Sequence, residues 1–312
     1  MSPRLQNIVY APIGWALRLL ARMPWWLLYA HSAVIYFLTY KVLHYRRDIV
    51  RNNLRECFPE KTEAERHAIE REYYHHFADY FIETIKLLHI SDDEMRRRLV
   101  FHNVEWVDAM LQQGRSVVLY GAHYGNWEWI TSITLHFKES SKDGHNLLGH
   151  VYQPLENAWF DRFFLQLRSR FYTRGIAQHH VLLEMIRCQR AGRHLVIGFI
   201  ADQHPQPHDQ DHVVRFLNHP TAIVTGPEGI ARKLRCAVGY FDMTKTGRGH
   251  YECHMVPITE AAEQEPEGRI TNRYAQLLER TIMRAPQYWL WTHKRWKRPV
   301  QYPPGFVDEL HG

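Results

Sequence analysis

The chain has 312 residues, with 39 lysines and arginines against 33 aspartates and glutamates, for a net charge of +6. This length accommodates one large domain or two smaller ones, and the balance of apolar and charged residues argues against wholesale disorder. The positive charge favours an anionic partner: phospholipid headgroups, an acidic protein or nucleic acid. Ten tryptophans and 17 tyrosines suit a membrane interface, whereas no nucleic-acid recognition module is visible.

The cysteines are too widely spaced for a disulfide framework or a zinc knuckle, and none forms a C-x-x-C pair. They are Cys57, Cys188, Cys236 and Cys253. We therefore predict reduced thiols in a cytosolic protein.

Residues 23–40 form an uncharged, aromatic-rich segment, MPWWLLYAHSAVIYFLTY. Its 18 residues lie at the short end of what crosses a bilayer, about 17–25 residues. It lacks the small-residue cleavage site of a signal peptide. A buried core helix and an in-plane anchor are the alternatives to a membrane span. The residues that follow are basic, which by the positive-inside tendency places the rest of the chain at the cytoplasmic face.

We predict two parts on this basis. Residues 1–45 form a membrane-anchoring helical segment. Residues 46–312 form the main domain, with a helical lead-in over 46–113 and an α/β core over 114–312.

Helical patterns dominate the lead-in. Thr62-Glu63-Ala64-Glu65 is a capping box. The apolar residues that recur from Ile69 to Leu88 predict a long amphipathic helix, with Glu83 on its solvated flank. Ser91 is predicted to cap a shorter helix.

After Gly114 the sequence changes to short apolar runs typical of buried strands. Strands are predicted at 117–120, 146–152, 194–200, 237–243 and 251–256, with helices at 126–137, 156–170, 179–190, 226–234 and 271–284. The last two strands are joined through Thr246–Gly249, a predicted hairpin. Strands that alternate with helices predict an α/β fold, a mixed sheet flanked by helices.

The stretch GAHYGNWEW, residues 121–129, carries the clearest chemical signal. On one regular helix His123 and Glu128 would point about 140° apart. A strand-to-helix turn through Gly121 and Gly125 instead lets them meet at hydrogen-bond distance. Glu128 would accept the Nδ1 proton and leave Nε2 of His123 as a base. With no serine or cysteine in the motif, this pair suits direct attack by a substrate hydroxyl on a thioester carbonyl.

A second histidine pattern lies in the segment Asp202–His212, where His204, His208 and His212 are spaced by four. Pro205 and Pro207 prevent the helix that such spacing needs for metal binding. We therefore predict a polar loop beside the active site and no metal.

The motif GAHYGNWEW resembles the signature of the late lipid A acyltransferases, the lauroyl and myristoyl transferases, within the glycerolipid acyltransferase superfamily and its H-x4-D/E motif. Other blocks agree in order along nearly the whole chain. They are Arg46-Arg47 through Asn53-Leu54 and Phe58-Pro59-Glu60 ("R…NL…FPE"), Tyr152–Asn157 ("YRPLDN"), Asp202-Gln203, Thr225-Gly226-Pro227, and Pro286–Lys297 ("PEQYLWLHRRFK").

The resemblance implies a glycerolipid acyltransferase-like fold, with His123 as general base and Glu128 as its partner. It places the substrate-binding residues at Asn126, Gln153, Asn157, Asp202 and Gln203. Gln153 is the one clear departure, because the family has an arginine there. The loss of that charge leaves the exact acyl acceptor open.

The function implied is O-acyl transfer from an acyl carrier protein thioester to a hydroxyl of a lipid A precursor, at the cytoplasmic face of the bacterial inner membrane. Coenzyme A is the alternative donor, and no cofactor or metal is expected. One alternative function is the same chemistry on a lysophospholipid, an aminolipid or a phosphoinositide glycolipid. The other is a non-catalytic membrane-binding protein, against which the His123 and Glu128 pair argues.

Overall fold

The computed structural model describes residues 3–138, 146–207 and 209–311. Its helices are α1 Pro3–Arg22, α2 Trp25–Tyr36, α3 Arg47–Cys57, α4 Glu63–Lys86, α5 Asp92–Arg98, α6 Glu105–Gln112, α7 Ala158–Arg168, α8 Val181–Arg190, α9 Gly226–Lys233 and α10 Arg269–Arg284. Its strands are β1 Leu99–His102, β2 Val117–Gly121, β3 Leu147–Tyr152, β4 Arg174–Ala177, β5 Leu195–Ile200, β6 Val213–Phe216, β7 His219–Ala222, β8 Ala237–Gly247 and β9 His250–Thr259.

Within these residues the strands form a seven-stranded sheet in the order β1-β9-β8-β2-β5-β3-β4 and a separate pair, β6-β7. All neighbours in the large sheet are parallel except β8 and β9, which form the predicted hairpin. The predicted mixed α/β fold is therefore confirmed. The short strands β1, β4, β6 and β7 were not predicted, and β1 lies inside the lead-in that was expected to be helical.

The long helix α4 begins where the capping box predicts. The Thr62 side chain accepts from the Glu65 amide, and the Glu65 carboxylate accepts from the Thr62 amide in return. Ser91 caps α5 in the same way, through the amide of Glu94. The prediction for Glu83 was wrong: its side chain is fully buried, where it accepts hydrogen bonds from Tyr29 of α2 and Tyr251 of β9.

The apolar segment 23–40 is not one continuous α-helix. Pro24 precedes α2, and a π-helical turn, Phe37–Val42, extends it. Among the described residues, no helix combines the length and the apolar character needed to cross a bilayer.

The four cysteines are buried free thiols, in agreement with the predicted absence of disulfides.

Candidate active site

His123 and Asp202 meet because their strands are parallel neighbours. Gly121, at the end of β2, pairs in register with Ile200, at the end of β5. Each of the two side chains lies two residues beyond that pair, so both emerge at the carboxyl edge of the sheet, where open α/β sheets bind ligands. Nδ1 of His123 lies 2.7 Å from Oδ1 of Asp202, and the His123 amide donates to Oδ2 at 3.0 Å.

The predicted contact between His123 and Glu128 is wrong. Asp202 occupies Nδ1 of His123, and Glu128 is buried against α7 instead. There the Arg168 guanidinium donates two hydrogen bonds to the Glu128 carboxylate, each of 2.7 Å. This bidentate pair offsets the charge of Glu128. The carboxylate that orients the histidine is Asp202, which follows β5.

Asp202 is held as an anion by several donors. Although burial opposes its charge, the interaction with His123 and the hydrogen bonds from His123 and Trp289 lower the pKa of the Asp202 carboxyl. The Trp289 indole N–H donates at 2.9 Å. An ionised Asp202 can only accept, so Nδ1 of His123 carries the proton in this contact, and in the neutral form of the ring the lone pair is on Nε2.

The His123 ring is partly exposed. The His123 side chain is 21% exposed, whereas that of Asp202 is 2% exposed. The Gln203 amide nitrogen lies 3.3 Å from Nε2. The indole of Trp127 packs edge-on against the imidazole, with ring centroids 5.1 Å apart. The arrangement leaves the imidazole partly exposed and keeps its carboxylate partner away from water.

The turn that carries His123 needs glycine at position 125. Gly125 has φ +59°, and a Cβ there would lie 2.5 Å from Sδ of Met243. The C-terminal block closes over this turn: the Gly125 amide donates to the Tyr288 carbonyl at 3.0 Å. Trp289, which binds Asp202, follows directly.

The remaining residues predicted to bind substrate lie in different surroundings. Asn126 is fully buried, and its side-chain amide donates to Glu83 at 2.9 Å. Asn157 is the N-cap of α7 and accepts from the amides of Trp159 and Phe160. Gln153 is exposed beyond β3. The structure therefore brings together His123, Asp202 and Gln203 from the predicted set.

Three residues near the site were not assigned a role from the sequence. Trp289 and His293 belong to the C-terminal block, so the block itself was the available signal. Burial lowers the pKa of His293 to about 4, and the ring is neutral at physiological pH. Arg168 gave no local signal, because its pairing with Glu128 is a tertiary contact between α7 and the motif.

The histidines of the 202–212 segment make other contacts. His204 bonds the Pro205 carbonyl and His212 bonds Asn272, while His208 lies outside the described residues. Within the part of the chain that the structure describes, one histidine and carboxylate group is close enough together for a metal ion. It comprises His102, Glu252 and His254 on β1 and β9. In the sheet, β8 separates these strands from β2, which carries the catalytic motif.

The fold and the site define a class: an α/β protein that carries a carboxylate-oriented histidine on a glycine turn at the carboxyl end of a parallel strand. The chain belongs to the bacterial lipid A biosynthesis acyltransferase family, whose model matches residues 4–298. It is therefore an acyltransferase, as the sequence resemblance implies.

Curated relatives are similar over most of their length. The lipid A biosynthesis lauroyltransferase of Escherichia coli (strain K12) is 24% identical over 312 residues, covering 96% of this chain and 98% of that protein. A lipid A biosynthesis acyltransferase of Haemophilus influenzae is 26% identical, covering 86% and 83%. The lipid A biosynthesis palmitoleoyltransferase of E. coli is 23% identical, covering 82% and 80%.

Proposed function

We propose that this protein transfers a fatty acyl chain from an acyl carrier protein thioester to a hydroxyl of a lipid A precursor, with His123 as the general base. The observation that carries this proposal is the His123–Asp202 pair, with a partly exposed His123 ring, in a chain that belongs to this family. Asp202 replaces Glu128 as the carboxylate that orients the base.

In the proposed reaction, Nε2 of His123 takes the proton of the acceptor hydroxyl as its oxygen attacks the thioester carbonyl. A carbon–oxygen bond forms, and the carbonyl electrons move to an oxyanion. Collapse of this intermediate breaks the carbon–sulfur bond, and the leaving thiolate takes the proton from the imidazolium. Asp202 stabilises the imidazolium while it exists, as a triad carboxylate does.

The Glu128–Arg168 pair has a positioning role in this mechanism. Glu128 stands one residue after Trp127, whose ring packs on His123, and Arg168 ties it to α7. A bidentate pair fixes both orientation and distance. It therefore anchors the helical turn that follows the base.

The donor is proposed from charge. With a net charge of +6, the protein would attract an acidic carrier protein more strongly than a neutral one. Coenzyme A carries the same thioester and is the competing donor. At the acceptor side Gln153, in place of the family arginine, supplies hydrogen bonds but no positive charge for a phosphate.

We propose that the N-terminal helices lie in the plane of the membrane surface, with their exposed apolar side chains toward the lipid. Large apolar side chains are exposed along the N-terminal helices and the π-helical turn, a pattern that marks an interaction surface. They are Val9, Ile13, Trp15, Leu19, Trp26, Val34, Phe37, Leu38, Val42 and Leu43. Lys41 and the basic residues of α3 follow, and they suit anionic headgroups at the cytoplasmic leaflet of the inner membrane.

The proposed function is tested by mass spectrometry of membrane lipids from cells with and without the gene. Loss of one acyl chain from lipid A, and its return when the gene is restored, is the expected result. A changed lysophospholipid, aminolipid or phosphoinositide glycolipid pool with unchanged lipid A would move the acceptor to that class. Unchanged lipids throughout would favour a non-catalytic membrane-binding protein.

A further inference from the structure

Beneath the catalytic turn lies a buried carboxylate with neutral donors on both of its oxygens. Glu83, on α4, is 0% exposed. Its Oε2 accepts from the Asn126 amide at 2.9 Å and from the Tyr251 hydroxyl at 2.8 Å. Its Oε1 accepts from the Tyr29 hydroxyl of α2 at 3.2 Å. Burial raises the pKa of this carboxyl.

Glu83 holds the turn at two points. Besides the Asn126 amide, the indole N–H of Trp129 donates to the Glu83 main-chain carbonyl at 3.1 Å. The side-chain oxygen of Asn126 is buried without a hydrogen-bond partner in the described structure, so the amide is oriented from the Glu83 side. Asn126 ends the turn that carries His123, and Trp129 lies in the 3₁₀ helix Trp127–His136 that follows it.

Tyr29 brings α2 into the same cluster, and its hydroxyl is tightly enclosed. The Arg248 guanidinium lies over the ring, 4.1 Å from its centroid. Gly249 has φ +67°, and a Cβ there would come within 2.1 Å of the Tyr29 oxygen. Elsewhere on α2, Trp26 and Val34 are 72% and 57% exposed.

We infer that Glu83 is a positioning residue for the catalytic turn, and that Tyr29 makes this positioning depend on how α2 is seated. The helix proposed to lie in the membrane surface and the turn that carries His123 share one carboxylate. A shift of α2 would withdraw a donor from Oε1 and loosen the Asn126 bond at Oε2. The inference rests on the proposed function for its activity readout, but its structural readout does not.

The test compares Tyr29→Phe with Ser32→Ala in the full-length protein in detergent, where membrane binding does not limit the rate. The Ser32 hydroxyl also joins α2 to α4, through a 2.6 Å bond to Asp79. Asp79 pairs with Arg248 and, among the residues that the structure describes, makes no bond to the turn. Turnover with an acyl carrier protein donor and amide hydrogen exchange over 123–129 are both measured.

Tyr29→Phe should lower kcat by about threefold to tenfold, the equivalent of one hydrogen bond, and speed exchange across 123–129. Glu83→Gln replaces one accepting oxygen with an N–H donor that faces the donors of Tyr29, Asn126 and Tyr251. It should lower kcat and speed exchange more strongly than Tyr29→Phe does. Ser32→Ala should stay within about twofold of the parent. Parent-like exchange and kcat in Tyr29→Phe, or an equal loss in Ser32→Ala, would overturn the inference.

The two proposals fail in different ways. If His123→Ala retained turnover, the proposed function would fail, while the exchange comparison would still measure how Glu83 and Tyr29 hold the turn. If His123→Ala were inactive and Tyr29→Phe matched the parent in exchange, the positioning role alone would be wrong.

Discussion

At the scale of single residues, the site depends on which carboxylate a histidine meets. The sequence predicts the base, because His123 follows a buried strand and precedes a glycine with a required positive φ. It does not predict Asp202 as the partner of Nδ1, because that contact arises from the register of β2 against β5. From the sequence alone, Glu128 is the nearest carboxylate that follows His123, whereas Asp202 becomes its neighbour only when β2 and β5 pair.

Glu128 and Arg168 give a prediction about stability. Glu128→Gln removes the charge from a side chain that is 3% exposed and leaves the Arg168 guanidinium without its counter-ion. We expect the free energy of unfolding to fall by about 3 kcal/mol, as when one partner of a buried pair is removed. Chemical denaturation of the purified protein measures it.

The matched control is the double variant Glu128→Gln/Arg168→Met, which removes both charges. It should recover much of the lost stability, since no unpaired charge remains. A single variant as stable as the parent, with activity lost, would instead show that Glu128 acts in the chemistry.

At the scale of elements, the sequence predicts most helices and strands beyond Gly114, because burial and helical periodicity are local signals. It misses β1, β4, β6 and β7, each of which has four residues, too few to show a period. It also reads 23–40 as one continuous segment. In the structure Pro24 precedes α2 and the π-helical turn follows it, and Trp26 and Val34 of α2 are exposed.

The exposed face of α1 and α2 gives a prediction about membranes. Trp15 and Trp26 are 73% and 72% exposed, and both rings would enter the interface of a bilayer. Replacing both with serine should weaken binding to anionic phospholipid vesicles at least about tenfold, given roughly 1.5–3 kcal/mol for a buried large apolar side chain. Co-sedimentation measures the partition.

Tyr172→Ser is the control, because Tyr172 is 74% exposed but lies outside the N-terminal helices. The residual binding of the double tryptophan variant should fall as salt rises, since the basic residues of α3 then carry it. Equal binding by the parent and the tryptophan variant would contradict an in-plane face at this position.

At the scale of the whole molecule, buried neutral histidines make stability depend on pH. Burial lowers the pKa of His150 and of His293 to about 4, against about 6.5 in an unfolded chain. Between these values the unfolded chain binds protons that the folded chain does not. The free energy of unfolding should therefore fall as pH drops from about 6.5 to about 4, by up to about 1.4 kcal/mol per pH unit for each histidine.

His150→Leu tests this, because both ring nitrogens of His150 are buried without hydrogen-bond partners in the described structure. Urea unfolding at pH 7 and pH 5 should show a smaller loss of stability for the variant than for the parent. His179→Gln, at an exposed position, should keep the parent's pH dependence. An unchanged loss in His150→Leu would show that this ring does not titrate as proposed.

The base assignment is tested most directly by transfer of a labelled acyl chain from acyl carrier protein to a purified lipid A precursor. The parent, His123→Ala, Asp202→Asn and Glu128→Gln would be compared at matched folding. We expect no product from His123→Ala, and a loss of about 10²-fold or more from Asp202→Asn, which keeps the shape but not the charge that stabilises the imidazolium. Correctly folded Glu128→Gln should lose much less than Asp202→Asn. Near-parent turnover by His123→Ala, or a greater loss in Glu128→Gln than in Asp202→Asn, would contradict the His123–Asp202 mechanism.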